Sequence, residues 1–234
     1  MQEHLAARTR LFQTAQYTEI AGIPELRSSL STHMNKVYNG NTSLNNVLIS
    51  SGCNQAYCLT IMALAKAGDE IIVPEPYYFN HLMWLEMLGI KAKLMPFNPP
   101  QNGIPNPQDA ERLLTKKTKA IVLISPNNPT GAIYPPDVIT SFYEFAREKE
   151  IALIMDETYK DFLGSIKPHY LFQKKQWEET FIQIYSFSKV FSLTGYRVGS
   201  IIAGDKTINS IIKIMDTLAI CAPRISQDLS LIHI

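Results

Sequence analysis

Lys189 stands in Tyr185-Ser186-Phe187-Ser188-Lys189-Val190, with Gly195-Tyr196-Arg197 close behind it. An amine directly after an apolar strand, flanked by two hydroxyls and followed by an arginine, suits a lysine held beside a phosphate. That pairing is what retains an aldehyde cofactor as a Schiff base, for which a lysine of lowered proton affinity is a competent nucleophile. Ser186, Ser188 and Arg197 form a candidate anion site, since arginine meets phosphate through a planar fork of donors. A solvated surface charge is the plainer reading of Lys189 taken alone.

Four other segments carry candidate chemistry, each with an ordinary alternative. Ser51-Gly52-Cys53-Asn54 precedes a helical pattern, so its backbone N–H groups and the helix dipole can hold an anion. It has neither GxGxxG spacing nor the GK[ST] of a P-loop, and a simple strand-to-helix turn is the plainer reading. Tyr78, in Tyr77-Tyr78-Phe79, can stack on a flat heteroaromatic ligand or pack in the core. Asn127-Asn128-Pro129-Thr130-Gly131 is rich in turn formers, and an Asn there can also donate to a phenolic oxygen. Asp156 ends an apolar run, where an isolated carboxylate is costly and needs a cationic partner. A pyridinium N–H would serve. A salt bridge to Lys160 or a helix N-cap are the structural alternatives.

Positioning these residues requires a regular scaffold. Asn46-Val47-Leu48-Ile49-Ser50, Glu70-Ile71-Ile72-Val73, Ala120-Ile121-Val122-Leu123-Ile124, Ile151-Ala152-Leu153-Ile154-Met155 and Phe181-Ile182-Gln183-Ile184-Tyr185 read as strands. Val198-Gly199-Ser200-Ile201-Ile202-Ala203 reads as a sixth, and Lys91–Met95 as a seventh at an edge. Most are continuously apolar, as in a parallel sheet covered on both faces. Between them lie helical stripes, Ala56, Leu59, Thr60, Ala63, Leu64 and Ala67 closed by Gly68-Asp69, and Phe142, Phe145 and Ala146 within Pro136–Glu148. The pattern predicts an α/β fold: a mostly parallel central sheet, helices on both faces and right-handed crossovers. Each polar segment directly follows a strand, and ligands of open α/β sheets bind beyond the carboxyl ends of the strands. Five such segments predict one shared site.

Composition narrows the function classes. Twenty-two basic against 21 acidic side chains, with no basic run, leave no electrostatic footprint for nucleic acid. No apolar run reaches a membrane span, and the opening Met1-Gln2-Glu3-His4 is not a signal peptide. Cys53, Cys58 and Cys221 are odd in number and fit no metal-ligand spacing, which predicts a reduced, cytoplasmic setting and no metal. Residues 1–16 read as a helix. Residues 1–40 are expected to lead into a large domain at 41–228, and 229–234 to be a non-native tail.

Three motifs occur in an order that resembles the class I/II aminotransferases, fold-type I enzymes that use pyridoxal 5′-phosphate (PLP): Ser125-Pro126-Asn127-Asn128-Pro129-Thr130-Gly131, Asp156-Glu157-Thr158-Tyr159, and Ser186-Phe187-Ser188-Lys189 with Gly195-Tyr196-Arg197-Val198-Gly199. The resemblance runs from about residue 17 to about residue 227. It implies that Lys189 is the Schiff-base lysine and proton shuttle, and that Asp156 is the partner of the pyridine nitrogen. Tyr159 and Asn128 resemble the donors to the ring phenolate, and Tyr78 the stacking residue. Gly52, Cys53 and Asn54 with Ser186, Ser188 and Arg197 resemble the phosphate cup. Tyr17 resembles a tyrosine that reaches the phosphate of a neighbouring subunit, which implies a homodimer. Cys53 and Asn54 depart from the small or hydroxyl residues often found there.

The implied reaction moves an amino group from an amino acid to a 2-oxo acid. A C–S lyase or decarboxylase of the same fold, and a catalytically incomplete PLP-binding fragment, are the alternatives. In the family, a C-terminal small domain supplies the arginine for the substrate carboxylate. That domain is expected to be missing here, since Arg224 lies too early to be that residue. Ser186-Phe187-Ser188-Lys189 also matches the S-x-x-K of penicillin-binding proteins, but neither S-D-N nor K-T-G accompanies it.

Overall fold

The computed structural model describes residues 15–164 and 168–234. The expected helix over residues 1–16 therefore falls almost wholly outside the described residues. Seven strands form one sheet: β1 (Val47–Ser50), β2 (Glu70–Pro74), β3 (Lys91–Met95), β4 (Thr118–Ile124), β5 (Ala152–Asp156), β6 (Phe181–Ser186) and β7 (Gly199–Ile202). Their spatial order is β1-β7-β6-β5-β4-β2-β3. From β6 through β5, β4 and β2 to β3 all pairs are parallel, while β7 runs antiparallel to both β1 and β6.

The continuous apolar runs follow from burial on both faces. In β4, Ile121 and Leu123 enter one core and Ala120 and Val122 the other. The first core is closed by helices α1 (Pro24–Tyr38) and α5 (Pro136–Glu148) through Leu26, Leu30, Met34, Phe142 and Ala146. The second is closed by α2 (Cys53–Leu64), α3 (Phe79–Met87) and α6 (Asp205–Leu218) through Tyr57, Leu59, Leu85, Ile211 and Met215. A short α4 (Pro107–Leu113) and a last helix α7 (Arg224–Leu231) complete the described α-helices, and short 3₁₀ turns such as Lys160–Phe162 lie between elements.

One local feature differs from the sequence-based expectation. The α2 helix stops at Leu64, and Gly68 at φ +88 belongs to the tight turn beyond it, where Lys66 N–H donates to Asp69 Oδ2 at 3.0 Å. The carboxylate side chain thus claims a backbone donor and ends the helix early. At the other end of the chain, α7 continues through Leu229 and Ser230, both buried, into the segment set apart at 229–234.

Candidate active site

The polar segments that follow the strands meet at one end of the sheet, in a cleft of about 260 Å³. Its lining includes Cys53 and Asn54 after β1, Tyr78 after β2, Asn128 after β4, Asp156 and Tyr159 at the end of β5, and Ser186, Ser188 and Lys189 after β6. Arg197 arrives from the start of β7, which lies at the same end because that strand is reversed. Gly52 is the N-cap of α2 just behind this lining.

Asp156 forms a buried end of the cleft. Its Oδ2 lies 3.1 Å from His81 Nε2, and its Oδ1 accepts the Thr158 N–H at 3.0 Å. Burial alone would raise its pKa, but the hydrogen bonds and charge interactions of His81 and Thr158 outweigh this and hold it below the ordinary value. The residue is therefore a carboxylate. Lys160, its neighbour in sequence and an alternative partner, turns away and pairs with Asp161 at 2.6 Å.

Sequence reasoning missed His81. It sits on the first turn of α3, three residues after Tyr78, and the two rings meet edge to face with centroids 5.4 Å apart. Tyr57 stacks on its other side at 3.9 Å, so His81 is clamped between α2 and the cleft. Its Nδ1 finds no hydrogen-bond partner, so the polar contact of the ring is the Nε2 edge that faces Asp156. The i, i+3 spacing to Tyr78, which puts both side chains on one helix face, was the available signal. Thr158 and Thr194 also line the cleft and were not anticipated.

The opposite chemistry gathers around Gly52, Ser186, Ser188 and Arg197. Gly52 adopts φ +87, and a β-carbon there would lie 2.2 Å from Arg197 Nη2, so only glycine allows the guanidinium to lie across the start of α2. Arg197 itself takes φ +53, at a cost of roughly 1–2 kcal/mol for a residue with a side chain. Its Nη1 donates to Thr194 O at 2.9 Å and lies 3.5 Å from Ser188 Oγ. Ser186 Oγ accepts the Ser188 N–H at 3.2 Å. The start of α2 adds unpaired backbone donors to this end, a ready anion cradle.

The remaining candidates are distributed as follows. Lys189 is exposed on the cleft; its carbonyl accepts the Ser192 N–H at 3.2 Å, and its amine has no hydrogen bond or ion pair among the described residues. Tyr159 is half-buried, and burial, then Asp156 and Tyr78, push its phenol above the ordinary pKa, so it remains a donor. Asn128 lines the cleft, whereas Asn127 is buried in the turn, donating to Tyr134 OH at 3.3 Å and accepting from Thr130 Oγ1 at 2.8 Å. Asn54 Oδ1 accepts from Trp84 Nε1 at 3.1 Å. The Cys53 thiol lies 3.7 Å from Asp156 Oδ1, and burial followed by Asp156 raises its pKa well above normal, so it stays protonated. Its side chain thus faces the carboxylate end of the cleft. Tyr17 is not part of this cleft and is 75% exposed.

The family model described as aminotransferase class I and II matches residues 4–231. The aspartate aminotransferase of Sulfolobus acidocaldarius is 31% identical over 213 residues, covering 90% of this chain and 53% of its own length. The aspartate/prephenate aminotransferase of Thermus thermophilus is 32% identical over 200 residues, covering 84% of this chain and 51% of its own. A solved structure of a tetra mutant of Thermus thermophilus aspartate aminotransferase superposes with a TM-score of 0.91 at 26% identity. That match covers 98% of this chain and 62% of that one. The chain spans about half the length of the curated relatives it matches. A reversed β7, a carboxylate at the end of β5 and a lysine beyond β6 are thus features of a chain that belongs to the class I and II aminotransferase family.

Proposed function

We propose that this chain is the cofactor-holding part of a PLP-dependent aminotransferase that moves an amino group from an amino acid to a 2-oxo acid. The observation that carries the reading is the joint occupancy of one cleft by an unpaired lysine, a buried ionised carboxylate and an arginine-lined helix start. The donor set fits the cofactor. A dianionic phosphate suits the cradle of Gly52, Cys53, Asn54, Ser186, Ser188 and Arg197, and a protonated ring nitrogen suits Asp156. Bound PLP supplies an aldehyde carbon for amines and a ring that accepts the electrons of a broken C–H bond.

The chain's own residues do the rest. Lys189 offers a free amine that takes up and returns the substrate's α-proton. Asp156, kept ionised by His81 and Thr158, stabilises positive charge at the ring nitrogen through a preorganised carboxylate. Tyr159 and Asn128, which line the cleft, would donate toward the ring's phenolic oxygen, and Tyr78 would cover the ring face. Tyr17, exposed outside this cleft, serves the phosphate of a second copy in a homodimer. Three free cysteines are in keeping with a cytoplasmic setting. The relatives named above are aminotransferases, and none is a lyase or decarboxylase.

The test is to titrate the purified chain with PLP and record visible absorbance. A band that is lost in Lys189→Ala is the expected result. A band that survives that substitution, or none in the unaltered chain, overturns the assignment.

A further inference from the structure

Gln227, on α7, is fully buried, and a buried amide is tolerated only where its hydrogen-bonding groups are used. Here they are used largely on the opposite end of the chain. Oε1 accepts the Ile23 N–H at 2.8 Å, while Nε2 donates to Thr18 Oγ1 at 3.2 Å and to Ala222 O at 2.8 Å. The segment it grips is a strap along the outer edge of the sheet. Ala21 O accepts the N–H of Ile49 in β1 at 2.8 Å, and Gly22 N–H closes a turn onto Glu19 O at 2.9 Å. Glu19 pairs with Arg27 at 3.1 Å, and Arg27 also donates to Val47 O and Leu44 O.

The fit leaves little freedom. Gly22 takes φ +103, and a β-carbon there would lie 2.5 Å from Ile49 Cγ1 and 2.9 Å from Gln227 Oε1. Thr18 through Ile23 are therefore tied down at several points, yet Tyr17, the next residue outward, projects into solvent. A side chain that must reach an anion on another molecule loses less entropy when its base is already fixed.

We propose that Gln227 is a positioning residue for Tyr17: by holding Thr18 and Ile23 it fixes the direction in which the phenol is presented to the phosphate of a second copy. This rests on the reading of Tyr17 given above. The test compares the PLP dissociation constants of the full chain, Tyr17→Phe, Gln227→Ala and the double variant, by absorbance titration. Tyr17→Phe should weaken binding about tenfold, the scale of one hydrogen bond to a charged group. Gln227→Ala should weaken it severalfold without touching the cleft. The double variant should bind no worse than Tyr17→Phe alone, because Gln227 acts through the phenol.

Thr18→Val, which removes the bond from Gln227 and the local bond of Thr18 Oγ1 to Glu19 O, should show the same non-additivity at smaller size, and it serves where Gln227→Ala does not fold. Wild-type affinity in both Gln227→Ala and Thr18→Val, or losses that add in the double variant, overturn the role of Gln227 and leave that of Tyr17 standing. Wild-type affinity in Tyr17→Phe removes the reading of Tyr17 and this proposal with it.

Discussion

Asp156 and Glu157 are adjacent, both buried and both held below the ordinary carboxylate pKa, yet they face different company. Glu157 Oε2 accepts from Tyr38 OH at 2.9 Å and from Gln183 Nε2, and lies 3.3 Å from His169 Nε2. His169 Nδ1 accepts the Leu171 N–H at 3.2 Å, which puts its ring proton on Nε2, toward Glu157. Burial works to raise the Glu157 pKa, and His169, Gln183 and Tyr38 together override it. Asp156 has His81 and Thr158, with the weak thiol of Cys53, and it alone of the two lines the cleft. Equal burial therefore conceals a difference in purpose. A charge whose donors all come from the protein core fastens the fold, whereas a charge with one side toward a cleft is available to a ligand.

Substitution can break that distinction. Under the function proposed above, Asp156→Asn should lower amino-transfer turnover by roughly 10²–10³-fold, the usual loss for one preorganised electrostatic partner, and should leave the fold largely intact. Glu157→Gln should do the reverse, costing about 2–3 kcal/mol of stability for a lost charged acceptor while turnover stays near that of the unaltered chain. Steady-state rates and urea titrations of both variants measure this; a larger rate loss in Glu157→Gln than in Asp156→Asn would erase the contrast.

A pH experiment sharpens it. Asp156 has a depressed pKa in the fold, so its contribution to stability is complete above the unfolded-state carboxylate pKa and fades as pH falls through the folded value. His81→Gln removes the leading partner, lets burial dominate and raises the Asp156 pKa. The pH below which PLP affinity collapses should then move upward relative to the unaltered chain. An unmoved acid limb would show that Thr158 suffices. The smallest effect is expected at Tyr78: Tyr78→Leu should weaken PLP binding only severalfold, since stacking contributes roughly 0.5–1.5 kcal/mol. Tyr78→Phe should bind as the unaltered chain does.

Much of this was legible before the structure. The strands appear as apolar runs because the sheet is covered on both faces, and their polar sequels land at one end because most strands share a direction. Hydropathy carries no sense of direction, so the reversal of β7 was not legible, although it is what delivers Arg197 to the cleft. His81 was hidden because a histidine reveals its side only once α3 has docked. The pairing of Asp156 with Lys160 looked plausible on sequence distance, but the 3₁₀ turn at Lys160–Phe162 directs that lysine to Asp161 and to His33 Nε2 at 3.4 Å.

The reversal of β7 has a consequence for engineering. Ser186 and Gly199 are register partners across β6 and β7, so residues 187–198 leave the sheet and return to it at a single point. Lys189 and Arg197 are carried on that one closed excursion. Phe187 and Val198, at its two roots, are buried in the first core, so an exchange of this excursion between relatives must carry the amine and the guanidinium together with those two anchors. Redesign of the cleft is confined there to the residues between those anchors, among them Ser188, Lys189 and Arg197.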